Sequence, residues 1–490
     1  MKQQGIIDEF RDKDIKKTAP LFELFVLRLL QEHLKEDEIK IEEFEDKHRF
    51  FDGVIKEGFQ YLSGSTAIEI KYYPSGIKSA FDSFLKRTVS EIQNHNEINS
   101  LFLIVSCRLK KEQRLRIGDI LEGLEFLMWD KRDLERLSSK HSEFVSKLIP
   151  NLSKELFNTV VKKNLSKTPA EREEKKNEYI EDLKRAYDSD ELVLMLGAGV
   201  SQDAGVPEWD KLLSELLVTM LEKKLQDEVV DLNNPERKAI IEKIKNSKKN
   251  SPLQLARYIR TAMEESFVKN LKKTIYKEVS KEENEKSELL ESIGELCDPP
   301  RNRVGIRSVV TYNFDDLLEK KLDDLDVNYL PICEETESPS QEKLGVYHVH
   351  GYLPREKKFD KLKDRLLVFS EEGYHSLQQD PYSWSNIIQV NNLREKTCLL
   401  IGLSVTDPNL RRLLSIASRN SEEADHYIIL KKPNYQVAGS DKSRIRENIL
   451  DDFATVDRSI KETSFKELGL NVIWVDKYDE VPEVLKSIKE

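Results

Sequence analysis

The sequence predicts an α/β protein of two domains: a smaller N-terminal α/β domain, then a larger doubly wound domain with a mostly parallel sheet and a helical insertion. Three observations predict this. From residue 190 onward, short apolar runs (ELVLML, RSVVTYN, GVYHVHG, LLVFS, TCLLIG, HYIILKK, NVIWVD) alternate with helical stretches. Residues 162–182 are charged and poor in core residues, and they separate this pattern from a different one upstream. The first run of the second pattern ends in the glycine turn Gly197-Ala198-Gly199. With 490 residues the chain exceeds one ordinary core. The expected division is residues 1–160, a linker at 161–182, and a second domain at 183–490 with its insertion at about 210–300.

In the N-terminal part, Thr18 is a candidate N-cap with Pro20 in the first turn, and LFELFVLRLLQEHL repeats apolar positions at helical spacing. Three strand-like runs follow, IKIEEF, HRFFDGVI and TAIEIKYY, and YLSGST between the last two suggests a hairpin. A helix near 77–98 precedes the strands LFLIVS and LEFLMW, after which Asp130 can cap a helix. The order is α-β-β-β-α-β with a further strand. The stretch KKNLSKTPAEREEKKNEYIED reads as a linker or a solvated helix. Residues 210–290 read as mostly helical, and a last helix near 480–489 closes the chain.

Hydrophobic residues make up 38% and charged residues 34%, a soluble globular composition, and no run approaches the 18 apolar residues of a membrane span. The N-terminus has no apolar core of a secretory signal, so a cytoplasmic location is expected. The four cysteines, Cys107, Cys297, Cys333 and Cys398, form no Cys-x-x-Cys pair, which argues against a zinc ribbon or a disulfide framework. A net charge of −11 argues against indiscriminate nucleic-acid binding and leaves room for a local basic groove.

Strand, glycine turn, helix is a phosphate-binding arrangement, because glycine lets backbone N–H groups approach an anion. The segment after Gly199 departs from the common dinucleotide fingerprint. Its third glycine, Gly205, comes too late, and no ribose-binding acid follows on a second strand about 20 residues on. No lysine follows either, so it is not an ATPase P-loop. Polar residues also gather at later strand ends: Asn313 and Asp315 in TYNFDDLLE, His348 and His350 in VYHVHG, and Gly402, Ser404 and Asp407 in IGLSVTDPNLRRLL. Open α/β sheets bind ligands at the carboxyl ends of strands, so these side chains can converge. Each also has a structural reading. Asn313 or Asp315 can cap the helix DDLLEKKL, Ser201 can cap its own turn, and Asp407 before Pro408 is an ordinary helix start.

The segment GAGVSQDAGVPEW resembles the glycine-alanine-glycine-x-serine signature of sirtuins, and TYNFDDLLE, the His350-Gly351 pair and IGLSVTDPNLRRLL resemble three later sirtuin segments in order. The resemblance implies a Rossmann-like domain that binds NAD and breaks its nicotinamide–ribose bond. His350 would then be the catalytic base, near physiological pH. Period-two alternation would put His348 on the same face, and His350 is favoured because it adjoins the glycine at the strand end. Asn313 would orient a water or the ribose, and Asp315 would hold the ribose or nicotinamide side. Gly197, Ala198, Gly199, Ser201, Gly205, Trp209, Gly402, Ser404 and Asp407 would complete the NAD site. Protein-deacylating sirtuins carry a zinc module with paired cysteines that this sequence does not have, so no zinc is expected. The remaining pattern resembles sirtuin-like NAD hydrolases of bacterial antiphage defence, in which water replaces the acyl-lysine nucleophile and ADP-ribose and nicotinamide are formed.

In the N-terminal part, Asp52 in FFDG and Glu69-Ile70-Lys71 resemble the Asp…Glu-x-Lys core of restriction-endonuclease-like nucleases, including the Mrr-like branch. The resemblance implies that Asp52 and Glu69 hold Mg²⁺ while Lys71 assists a water. Glu23 is a candidate third acid and Gln93 a candidate substrate contact. Lys56, Lys71, Lys78, Lys86 and Arg87 offer positive charge to a DNA backbone. The plain alternative is a Glu69–Lys71 salt bridge in a non-catalytic domain that senses DNA or serves assembly. For the whole chain the expectation is an effector of abortive infection, gated by oligomerisation, DNA or a partner such as a hexameric ATPase. The alternatives are a DNA endonuclease whose second domain only senses NAD or an ADP-ribose-type signal, and an NAD-dependent deacylase.

Overall fold

The computed structural model describes residues 6–10, 15–42, 51–74, 76–77, 80–94, 97–226, 235–236, 239, 243, 252–279, 287–298, 305–340, 342–355, 367–419, 425–435 and 447–490. The chain divides into two compact units at Ser166/Lys167. Among the described residues no helix is long and apolar enough to cross a membrane.

The first unit opens with α1 (Ile15–Leu34), which buries Phe22, Phe25, Val26, Leu29 and Leu30 at helical spacing. The helix starts before Thr18, so Pro20 lies inside it rather than in its first turn. A five-stranded sheet follows in the spatial order β1 (Ile41–Glu42), β2 (Gly53–Ile55), β3 (Thr66–Lys71), β4 (Ser100–Val105), β5 (Glu125–Trp129). The pairings β1–β2 and β2–β3 are antiparallel, and β3–β4 and β4–β5 are parallel. Helix α2 (Ala80–Asn94) provides the β3-to-β4 crossover. The β4-to-β5 crossover is α3 (Lys111–Ile120), a helix the sequence pattern does not announce because only Ile117 on it is buried. Asp130 does cap α4 (Lys131–Lys140), accepting the Arg132 N–H at 2.8 Å. Helices α5 (Ser142–Leu148) and α6 (Leu152–Ser166) complete the unit.

The second unit begins with α7 (Pro169–Asp188), started by a capping box between Thr168 and Glu171. The charged stretch 162–182 is therefore helical on both sides of the division, the second of the two readings its composition allows. A seven-stranded sheet follows, with β6 (Leu192–Leu196), β7 (Ile306–Thr311), β8 (Tyr329–Ile332), β9 (Leu344–His348), β10 (Thr397–Ile401), β11 (His426–Lys431) and β12 (Leu470–Val475). The spatial order is β12-β11-β10-β6-β7-β9-β8, and every pairing is parallel. The described part of the insertion is helical, α8 (Trp209–Gln226), α9 (Pro252–Met263), α10 (Phe267–Ile275) and α11 (Glu288–Cys297).

Between the later strands lie α12 (Leu317–Asp324), α13 (Glu371–Gln379), α14 (Trp384–Glu395), α15 (Pro408–Ser418) and α16 (Glu447–Glu467), with α17 (Val481–Lys489) closing the chain. Two apolar layers sandwich the sheet: Leu192, Leu194 and Leu196 face one, Val193 and Met195 the other. Two expectations change here. The edge strand β8 is too short and half-exposed to stand out as a hydrophobic run. Within LLVFS, residues 367–369 form no strand. Val368 donates one hydrogen bond to His350 O at 2.8 Å, and the chain turns at once into α13.

The chain runs from β6 outward through β7 to the β8 edge, returns to β9 between them, then crosses to the other side of β6 to form β10. The crevice between β6 and β10 is thus the topological switch point, the preferred ligand position of such sheets.

Candidate active site

The glycine bend sits at that switch point. Gly197 N–H donates to Ile401 O at 3.0 Å, and Gly199 N–H donates to Gly402 O at 3.1 Å. The contact is so close that a Cβ on Gly197 would lie 2.5 Å from Gly402 O, and one on Gly402 would lie 2.6 Å from Val200 N. Gly402 also has φ +66°, a conformation glycine adopts without a Cβ penalty. Ala198 is exposed and opens a short turn, Ala198–Val200, that delivers Ser201 into the interior. Gly205 serves a different contact, since a Cβ there would meet Glu278 O at 2.8 Å. Trp209 begins α8 and packs its ring on Phe369 at 4.9 Å, as part of the apolar layer.

Asn313 and Asp315 reach the bend from the end of β7. The Asn313 amide donates to Gly197 O and to Ser201 Oγ, each at 3.1 Å. Ser201 Oγ passes the chain on, donating to Asp315 Oδ1 at 3.0 Å. Asp315 Oδ1 also accepts the Leu317 N–H at 3.2 Å, a turn contact just ahead of α12, whose N-cap position is Asp316. Burial pushes the Asp315 carboxyl up to about 6, against the hydrogen bonds from Leu317 and Ser201.

The two histidines do not share a face. Strand β9 ends at His348, and the chain turns there, with the Gly351 N–H donating to His348 O at 3.2 Å, so the alternation that would align them is broken. His348 has both ring nitrogens engaged, Nε2 at 2.6 Å from Glu319 Oε1 and Nδ1 at 3.2 Å from Asn313 O. His350 points elsewhere. Its ring meets Tyr312 edge-on at 4.9 Å and Tyr374 at 5.8 Å, and Nε2 lies 3.8 Å from Asp407 Oδ2 without a hydrogen-bond partner. Burial lowers the His350 pKa and Asp407 works against that, so a neutral imidazole with a proton-accepting nitrogen is favoured at neutral pH.

The loop after β10 supplies the neighbours of the bend and of His350. Asp407 Oδ1 accepts the Leu410 N–H at 2.7 Å, the helix-start role its sequence allows, and Oδ2 accepts the Tyr374 hydroxyl at 2.6 Å. Ser404 is exposed and paired with Thr406 Oγ1 at 2.8 Å. Between them Val405 is buried at φ +53°, a strained position for a β-branched residue. Sequence reasoning did not single out Glu319, Tyr312 or Tyr374. Glu319 carried a signal, since it lies one helical turn after Asp315 in the same motif. Tyr374 carried none.

In the first unit, Asp52, Glu69 and Lys71 do meet. Lys71 Nζ is 2.8 Å from Glu69 Oε2 and 3.9 Å from Asp52 Oδ2, and Asp52 Oδ2 also accepts the Ile70 N–H at 2.7 Å. Burial pushes Glu69 up to about 7, while the surrounding carboxylates, Glu23 among them, hold the Lys71 ammonium protonated despite its burial. Lys71 also lies over the Phe84 ring at 4.7 Å. A cavity of about 280 Å³ opens beside Glu69, lined by Phe51, Phe84, Arg87, Thr88 and Glu91. Lys56, Lys86, Arg87 and Gln93 are exposed, and Lys78 lies outside the described residues. Among the described residues no group of three or more His, Cys, Asp and Glu is placed to hold a metal ion. The two carboxylates face an ammonium instead, which gives the expected Mg²⁺ no support.

Comparison with known proteins bears on the second unit. Residues 307–452 match the family model of the SIR2-like domain, a span that holds Asn313, Asp315, His350 and Asp407 but not the glycine bend. The chain is 24% identical over 321 residues to the NAD(+) hydrolase ThsA of Bacillus cereus (strain MSX-D12), covering 64% of this chain and 56% of that protein. It is 24% identical over 322 residues to the NAD(+) hydrolase ThsA of Cytobacillus dafuensis (63% and 55%), and 25% identical over 225 residues to that of Enterococcus faecium (41% and 42%). The chain spans about half the length of the curated relatives it matches. The second unit thus contains a SIR2-like segment, within a chain similar to proteins named as NAD(+) hydrolases.

Proposed function

We propose that the second unit hydrolyses NAD⁺ to ADP-ribose and nicotinamide. The observation that carries this is the convergence of Asn313, Ser201 and Asp315 on the Gly197 bend, with the unbonded Nε2 of His350 beside the Gly402–Asp407 loop. The bend takes the diphosphate side of the substrate through its bare glycine backbone, since the Gly197 and Gly199 N–H groups are already bonded to Ile401 O and Gly402 O. Asn313 orients the reacting ribose or the attacking water. As the bond from ribose C1′ to the nicotinamide nitrogen breaks, the electron pair leaves with nicotinamide and positive charge builds on the sugar. Water adds to C1′, and its proton passes to His350 Nε2, which burial keeps neutral and ready to accept it. The same unit would serve antiphage defence by draining NAD⁺ from the infected cell, under control by oligomerisation, DNA or a partner ATPase.

Incubation with NAD⁺ tests this: free nicotinamide and ADP-ribose should appear in equal amounts and be lost in His350→Ala and Asn313→Ala. NAD⁺ loss only with an acylated peptide would favour a deacylase. Retained NAD⁺ binding with no turnover would favour a sensor.

A second reading concerns the first unit. The convergence of Asp52, Glu69 and Lys71 beside a cavity favours a restriction-endonuclease-like site that cuts or senses DNA. Nicking of supercoiled DNA dependent on added Mg²⁺, and lost in Glu69→Ala, would support cutting. DNA binding without nicking would support sensing, and neither would leave the pair a structural ion pair.

A further inference from the structure

The second unit buries a histidine–glutamate pair that the cleavage chemistry does not use. His348 ends β9 and Glu319 lies on α12, with side chains 0% and 3% exposed and the His348 Nε2–Glu319 Oε1 distance 2.6 Å. The other ring nitrogen, Nδ1, faces the backbone carbonyl of Asn313 at 3.2 Å. Both partners, a carboxylate and a carbonyl oxygen, are hydrogen-bond acceptors, and an imidazole facing two acceptors needs two hydrogens. Either the ring carries both, or the carboxyl carries one and donates it to Nε2. In both arrangements Nδ1–H donates to Asn313 O, and one proton lies between Nε2 and Oε1. The pair is then neutral as a whole, which suits its burial. Tyr352 covers the imidazole with ring centroids 4.0 Å apart and limits its rotation.

The residue anchored in this way is the one whose side chain reaches the glycine bend. Asn313 is held through its carbonyl by His348, through its N–H by Thr311 Oγ1 at 3.1 Å, and through its amide by Gly197 and Ser201. Without the carbonyl anchor the peptide can rotate, and the amide turns with it. We infer that the Glu319–His348 pair is a positioning device that fixes the Asn313 peptide so that its side chain is presented to the substrate. The inference rests on the proposed cleavage of NAD⁺ at this site. It also removes His348 from the candidate bases, because neither of its nitrogens is available.

The test compares Glu319→Gln with Glu319→Leu in the full chain. A glutamine amide can donate to Nε2 while Nδ1–H still donates to Asn313 O, so the anchor survives without the shared proton. A leucine keeps the bulk but leaves Nε2 free to take the only hydrogen, which turns a bare Nδ1 toward Asn313 O. Glu319→Gln should hold kcat for nicotinamide release to within about threefold. Glu319→Leu should lower it by about 10- to 100-fold, the scale of a small misplacement in an active site, with KM for NAD⁺ changed far less. Hydrogen exchange across residues 312–317 should quicken in Glu319→Leu and not in Glu319→Gln.

Equal kcat in the two variants, or a Glu319→Leu loss explained by the fraction of folded protein, would overturn the inference. If the parent chain releases no nicotinamide, the cleavage reading fails. The exchange rates then decide the anchor by themselves, and equal rates in both variants would overturn it.

Discussion

The Tyr374 hydroxyl donates to Asp407 Oδ2 at 2.6 Å, and the same oxygen stands 3.8 Å from His350 Nε2. A tyrosine from α13 thus sets how much negative charge the candidate base meets. Removing the donor in Tyr374→Phe leaves that charge undiluted beside His350 and makes the imidazole easier to protonate. The acid limb of the pH profile of kcat/KM for nicotinamide release should therefore move to higher pH. Loss of a hydrogen bond to a charged group should also cost about 1.5–3 kcal/mol of stability, read by thermal unfolding. A pH profile identical to that of the parent would remove Tyr374 from this role.

Asp315 provides a pH signature in the fold itself. Burial raises its carboxyl from 3.8 to about 6, so folding favours the protonated form. The native state then binds more protons than the unfolded chain between these values, and stability falls as pH rises through that window. Above it the loss is constant, on the order of 3 kcal/mol. Asp315→Asn removes the titration. Its stability relative to the parent should rise by about that amount between pH 4 and pH 8. Denaturant melts of both proteins at the two pH values measure it, and NAD⁺ turnover should fall at both.

Gly402 has two reasons to be glycine. A Cβ would sit at φ +66° and 2.6 Å from Val200 N, a backbone atom that cannot move without moving the bend. Gly402→Ala should destabilise the protein by about 2–4 kcal/mol and weaken NAD⁺ binding together. Unfolding curves and calorimetric titration with NAD⁺ follow both effects. Unchanged affinity would separate the bend from the substrate.

Lys71→Met strips a buried carboxylate of its cation. Burial raises the Glu69 carboxyl above its ordinary range, against the pull of Lys71, so folding favours its protonated form and that stability is present at low pH and lost as pH rises. At pH 9 the substitution should cost about 3–5 kcal/mol, and clearly less at pH 5.5, where a neutral carboxyl needs no ammonium. Equal costs at the two pH values, measured by urea unfolding, would show that the ion pair does not carry the stability.

Much of this protein can be read along the chain. The alternation of apolar runs with helices predicts the parallel sheet of the second unit, and Gly197, Asn313, His350 and Asp407 stand out because each ends or follows a strand. Strand ends are local features, visible in polarity and period alone. The elements that escape such reading lack that local contrast. Helix α3 buries one residue, β8 is a half-exposed edge, and the described part of LLVFS, residues 367–370, has strand composition but forms no strand.

By itself the sequence determined which residues are available for chemistry and that an open α/β topology gathers them at the carboxyl ends of its strands. Only the tertiary structure decided how they divide the work, because hydrogen-bond partners come from residues distant in the chain. His348 and His350 are two positions apart and equivalent by alternation. One is closed off by Glu319 and the Asn313 carbonyl, and the other keeps an unbonded nitrogen facing Asp407. Which imidazole can take a proton depends on what surrounds each ring, and that exists only once β7, β9, α12 and the loop after β10 have packed together.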